Sequence, residues 1–219
     1  NLDIQEIIIV PLRKKLLSER VRMGAEIFSA LRDVLRTSGY DTDIGDEGGF
    51  APDIYATTEA IRMIILAIKQ AGYNPGKDVG LAFDIGASTM YDERTKKYRF
   101  KLDATFFTPH QLIALYEVWD EQFPIVSIED GLAEDDWDNW VIMNQKLGKD
   151  LLLVGDDLFT SNVKMLEKGI KMGAANAILI KPNQIGTITE TVETVKLAKK
   201  HDLKVVVSHR SGETNDDFI

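Results

Sequence analysis

The chain has 219 residues, is 44 % hydrophobic and carries a formal net charge of −9. That acidic excess argues against a nucleic-acid partner, whose phosphate backbone calls for a basic surface. The absence of cysteine excludes disulfides, thiolate catalysis and cysteine-ligated zinc. No run approaches the roughly 18 consecutive apolar residues of a spanning helix, and no basic stretch followed by an apolar core opens the chain. No membrane partner is expected, and the cytoplasm is the expected location. Asn1 stands first where a methionine would begin a primary product, so the start was processed or the sequence is part of a longer chain.

Leu2 to Val10 reads as a strand closed by Pro11, and Ser18 to Thr37 as a helix with Ser18 and Glu19 as start signals and Ser38-Gly39 as its stop. The stretch DTDIGDEGGFAPD has no periodicity and reads as a loop. A second helix is predicted at Thr57 to Ala71, with Thr57 or Thr58 as cap and Gly72 as stop. Two successive helices interrupt the strand–helix alternation. Beyond them the alternation is regular, with strands at Leu81 to Ile85, Ile125 to Ile128, Leu151 to Val154, Ala177 to Ile180 and Val205 to Ser208. The intervening helices start near Thr108, Trp137, Val163 and Thr187. Tyr91 to Asp103 reads as a hairpin excursion forming a solvated edge.

These apolar runs lack polar alternation, the pattern of strands buried on both faces in a parallel sheet wrapped by helices. Several end in a polar group: LAFDI at Asp84, IVSIED at Glu129, LLLVGDD at Asp156, AILIK at Lys181 and VVVSHR at His209. Glu129 to Asp156 is 27 residues, Asp156 to Lys181 is 25 and Lys181 to His209 is 28, each interval the length of one βα unit. The expected class is α/β, an incomplete (β/α)8 barrel with about six of eight barrel strands, in one domain over residues 1–219. Catalytic groups of such barrels gather at the carboxyl ends of the strands.

A lone strand-end aspartate is ordinarily a cap or turn residue. Three carboxylates on consecutive units, with a lysine on the next, read instead as a site: hard oxygen ligands suited to Mg²⁺. Asp130 and Asp157 are expected to point away from the rim and to play supporting parts, and Glu134 to Asp136 to form the first turn of a helix. A lysine on a dry rim beside cations loses its charge more easily and becomes a usable base; a salt bridge to a rim acid is the bland alternative for Lys181. His110 and His201 read as surface residues. His209, followed by Arg210, Ser211 and Gly212, offers donors suited to phosphate or carboxylate oxygens. Glu47 sits in GDEGGF, a glycine loop that can carry a proton donor close to a ligand.

Together GDEGGFAP (45–52), SIEDGLAEDDW (127–137), VGDDL (154–158), LIKPNQIGT (179–187) and SHRSGET (208–214) resemble the enolase family, the phosphopyruvate hydratases of glycolysis, and RMGAEIF (22–28) with the Gln5-Glu6 pair supports this. The resemblance implies a Mg²⁺-dependent lyase that interconverts 2-phosphoglycerate and phosphoenolpyruvate, with two Mg²⁺ per site and usually a homodimer or octamer. It implies Asp84, Glu129 and Asp156 as ligands of the first Mg²⁺ and Lys181 as the base taking the C2 proton. Glu47 is implied as the acid assisting loss of the C3 hydroxyl, Glu6 as a carboxylate positioning that acid and the substrate, and His209, Arg210 and Ser211 as the phosphate-holding group. By the same resemblance, the family's N-terminal α+β domain, first barrel strand and last barrel strand are expected to lie outside these 219 residues. A barrel left open there exposes two edges and is expected to be prone to aggregation. The competing function is a non-catalytic piece of such an enzyme, or a surface-binding module.

Overall fold

A computed structural model describes residues 2–13, 16–45, 48–102 and 104–208. Two helices follow the first strand: β1 (Glu6–Pro11), α1 (Leu17–Thr37) and α2 (Thr57–Gln70). Then come β2 (Val79–Asp84), a single 3₁₀ turn (Ala87–Met90), and the short strands β3 (Tyr91–Asp92), β4 (Lys97–Phe100) and β5 (Thr105–Phe107). The remainder alternates through α3 (Pro109–Gln122), β6 (Ile125–Glu129), α4 (Trp137–Leu147), β7 (Leu152–Gly155), α5 (Val163–Met172) and β8 (Ala177–Ile180), and ends in α6 (Pro182–Ile185), α7 (Ile188–Lys200) and β9 (Lys204–Val207). Among the described residues, no helix is long and apolar enough to cross a membrane.

The main sheet has the order β1-β2-β6-β7-β8-β9 and curls as half of a barrel. The strands from β2 onward pair in parallel, each returned to the same end by a helix. β1 is antiparallel to β2, with Glu6 opposite Asp84 and Pro11 opposite Val79. One helix between strands brings the chain back to the starting edge, whereas two helices bring it back twice and reverse the next strand. The α1–α2 pair therefore inverts β1, and its first residue, Glu6, lies at the rim where the other strands end.

Side-chain alternation divides the sheet into two faces. Phe83, Ile128, Leu153, Ile178 and Ile180 join the large core beneath the helices, with Trp140, Tyr116 and Trp119. Val154, Ala177 and Leu179 form a separate cluster on the opposite, inner face. Asp84, Glu129 and Lys181 each follow a helix-facing residue directly, and Asp156 is two beyond Val154. The period of two sends all four inward.

Caps fix several helix starts: Thr108 and Gln111 form a capping box on α3, Asn162 accepts the Lys164 N–H on α5, and Thr187 accepts the Glu190 N–H on α7. The expected caps on the first two helices are not used. Leu16 and Ala56 occupy those N-cap positions without side-chain bonds, and Thr57 turns inward, its buried Oγ1 unpaired among the described residues. α6 was not expected, although Pro182 at its first position is a helix-start signal.

The 91–103 stretch is also more than a solvated edge. β3, β4 and β5 form an antiparallel sheet whose alternation buries Tyr98 and Phe100 completely. Tyr98 Oη donates to Asp136 at 3.0 Å and accepts the Ala133 N–H at 2.9 Å. Glu134 to Asp136 thus precede α4 rather than forming its first turn, and Asp136 joins the excursion to the barrel.

Gly169, inside α5, faces the fully buried ring of Phe159: a Cβ there would press on Cε1 and lie 2.8 Å from Cζ. In a free helix, replacing glycine by alanine stabilises by about 1 kcal/mol. Here the ring must move, so Gly169→Ala is expected to destabilise by about 1–3 kcal/mol, read as a lower urea midpoint; a raised midpoint would contradict this packing.

Candidate active site

The rim is assembled strand by strand. Glu6 pairs with Asp84 and Asp84 with Glu129 across β1, β2 and β6. Asp156 follows β7 and Lys181 follows β8. Asp156 and Lys181 are both only 7 % exposed, and Lys181 Nζ forms an ion pair with Asp156 Oδ2. The salt bridge is thus present, and it also puts the amine among the rim acids. A cleft of about 310 Å³ opens here, lined by Asp84, Asp130, Asp156, Asp157 and Lys181, with Gln5, Asn183 and Gln184 completing its wall.

Backbone donors orient the acids. The Gly86 N–H donates to Asp84 Oδ1 at 3.1 Å. Asp130 accepts the N–H groups of Asp156 and Asp157, one on each oxygen, at 2.9 Å. Strand parity had Asp130 and Asp157 pointing outward. Asp130 instead adopts φ +43°, which ends the strand geometry and turns the side chain across to the β7 loop. Asp130, Asp156 and Asp157 consequently bring oxygens within 4.8 Å of one another. With both oxygens of Asp130 engaged by backbone, its supporting part is to clamp the turn that presents Asp156 and Asp157.

Burial dominates the electrostatics. Desolvation first, then the charge of Asp156, raises the Asp84 carboxyl to about 6 despite the Gly86 hydrogen bond. Desolvation, followed by the charges of Asp84, Asp130 and Asp156, pushes Glu129 up to about 8. Asp130 is likewise raised to about 8 by burial, against the two backbone N–H groups it accepts. Such clustering of buried acids creates a demand for positive charge beyond that of Lys181.

The donor set fits Mg²⁺: carboxylate oxygens with room for water, and no imidazole or thiol among the described groups that line the cleft. Among the described residues, the acids whose oxygens lie close enough together to hold one ion are Asp130, Asp156 and Asp157; Asp84 lines the same cleft, and Glu129, at the end of the neighbouring strand, is not among its lining residues. Four expected site residues, Glu47, His209, Arg210 and Ser211, lie outside the described residues. His110 and His201 are exposed and do not line the cleft, His110 in the first turn of α3 and His201 closing α7. Sequence reasoning passed over Ser161 and Gln184, whose side chains meet each other and the Asp156–Lys181 pair. Gln184 lies within LIKPNQIGT, but nothing in its spacing singled it out from a loop amide.

A half-barrel whose acids gather with a buried lysine at the carboxyl rim has the layout of an α/β-barrel enzyme. Residues 1–219 match the family described as enolase, C-terminal TIM barrel domain, and the chain belongs to that family.

The raised carboxyls set the sign of a pH effect. A group whose folded pKa exceeds its unfolded value stabilises the fold below the unfolded value, and that contribution is lost as pH rises through the folded pKa. For Asp84 and Glu129 the loss runs from about 4 through about 6 and about 8. In chelator, the thermal midpoint should therefore climb as pH is lowered from 9 to 6, and Asp84→Asn should raise it at pH 8. A midpoint independent of pH over that range, and unaffected by Asp84→Asn, would remove the repulsion.

Proposed function

We propose that this chain carries the catalytic barrel of a Mg²⁺-dependent phosphopyruvate hydratase, which reversibly dehydrates 2-phosphoglycerate to phosphoenolpyruvate. The observation that carries the reading is the convergence of Asp84, Glu129, Asp156 and Lys181 on the inner face of one rim, in a member of the enolase barrel family.

Asp84, Glu129 and Asp156 would hold the first Mg²⁺. When bound, Mg²⁺ supplies the concentrated positive charge that lets a carbon beside a carboxylate give up its proton. Lys181 Nζ, released from its ion pair with Asp156 and in its neutral amine form, takes the C2 proton. The electron pair of that C–H bond becomes the C2–C3 double bond, and the C3 hydroxyl departs as water with a proton from Glu47. Glu6, opposite Asp84 in the register, positions that acid and the substrate, while His209, Arg210 and Ser211 hold the phosphate and neighbouring substrate oxygens. Burial of Lys181 keeps water from competing for the amine, and its hydrogen-bonded backbone N–H holds the start of the side chain in place. A lysine or histidine base beside magnesium is the arrangement general to the enolase superfamily.

The test is the ultraviolet absorbance of the enol product formed from 2-phosphoglycerate and Mg²⁺ by the intact protein. Product formation should stop on adding chelator, and Lys181→Ala should lower turnover by about 10²- to 10⁴-fold while Mg²⁺-dependent substrate binding persists. Undiminished turnover in Lys181→Ala would sink the base assignment, and chelator-resistant turnover the metal dependence.

A further inference from the structure

Gln184 has no part in the proton transfers above, yet its side chain spans the site. It sits in α6, three residues beyond Lys181. Nε2 donates to Asp156 Oδ1 at 2.7 Å, while Oδ2 of the same carboxylate pairs with Lys181 Nζ. Oε1 accepts the Ser161 hydroxyl at 2.8 Å, and Ser161 Oγ in turn accepts the backbone N–H of Lys181 at 2.8 Å. The circuit closes: carboxylate, amide, hydroxyl, lysine backbone, lysine amine and back to the carboxylate.

The polarity of this ring follows from chemistry alone. An ionised carboxylate only accepts, so the amide nitrogen must face Asp156. The amide oxygen then needs a donor, which the serine hydroxyl supplies, leaving a lone pair for the Lys181 N–H. Every polar atom in the circuit finds a complementary partner. The hydroxyl is held there by an unusual turn: Thr160 and Ser161 adopt φ of +46° and +53°, a conformation costly for side-chain-bearing residues. Ser161 is fully buried, and Thr194 of α7 donates to its carbonyl at 2.9 Å. Thr160 is exposed, and the strain at the buried Ser161 is held by the bonds that fix its hydroxyl and carbonyl.

We propose that Gln184 is a positioning residue which, with Ser161, ties the Asp156 carboxylate and Lys181 into one unit, so that metal ligand and base keep a fixed relation. The inference rests on the reading of Asp156 as a Mg²⁺ ligand and Lys181 as the base. Outer-sphere partners of metal ligands commonly change metal affinity by about 10- to 100-fold, and Gln184 occupies that place for Asp156.

The experiment is a calorimetric Mg²⁺ titration of the intact protein carrying Gln184→Met, which keeps the side-chain length and loses both hydrogen bonds, with Asp156→Asn as reference. A native circular-dichroism spectrum with Mg²⁺ affinity lowered about 10- to 100-fold is expected. Ser161→Ala should weaken affinity in the same direction and add little on top of Gln184→Met, because both changes open one ring. A role confined to holding α6 would lower the unfolding midpoint and leave Mg²⁺ affinity alone. Native affinity in Gln184→Met with weakened affinity in Asp156→Asn overturns the positioning role while the metal reading stands; native affinity in both overturns the two together. Should Gln184→Met lose its fold, Ser161→Ala is read by the same titration, and native affinity there overturns the ring.

Discussion

Like-charge repulsion among buried carboxylates is the constraint around which the rim is organised. Asp84, Glu129, Asp130 and Asp156 share a region where burial already raises the first three, so each needs a local donor or a nearby cation. The chain answers with fixed groups. Gly86 serves Asp84, the amides of residues 156 and 157 serve Asp130, and Lys181 with Gln184 serves Asp156. Glu129 is raised to about 8, with three neighbouring acids adding to its burial and the charge of Lys181 opposing them. A divalent cation would offset several of these carboxylates at once, which a single hydrogen bond does not.

Holding those acids in one place falls to the sheet. Period-two alternation gives each strand a helix-facing and an inward-facing set, and the parallel register aligns strand ends at a single rim. The inversion of β1 extends that rim by one more acid. Had a single helix followed β1, Glu6 would stand at the far end of the barrel from Asp84. The extra helix therefore has a consequence for chemistry as well as for packing.

Stability and function pull against each other in the same residues. Crowded carboxylates and the positive-φ turn at Thr160 and Ser161 cost folding free energy, and a large apolar core with Trp140, Tyr116 and Phe159 fully buried offsets it. The turn keeps the Ser161 hydroxyl under the backbone of Lys181, where an extended strand would carry it past. At Asp130, Thr160 and Ser161 the backbone leaves its ordinary range where the rim groups are placed.

Much of this was legible in the sequence. The apolar runs ending in Asp84, Glu129, Asp156 and Lys181 marked the strands, and their near-constant intervals marked the repeating unit, because periodicity and spacing are local properties of a chain. The buried Tyr98 and Phe100, the rim-facing Asp130 and the reach of Gln184 were not legible, since each depends on what packs alongside. Asp130 shows why: strand parity sends it outward, and a single backbone rotation to φ +43° sends it toward the amides of a loop 26 residues away. The sequence by itself determined which residues carry charge at strand ends and how often strands recur. Only the tertiary structure decided which way β1 runs and which donors meet which acids, because hydrogen bonds between distant segments form only once the sheet has brought their ends together.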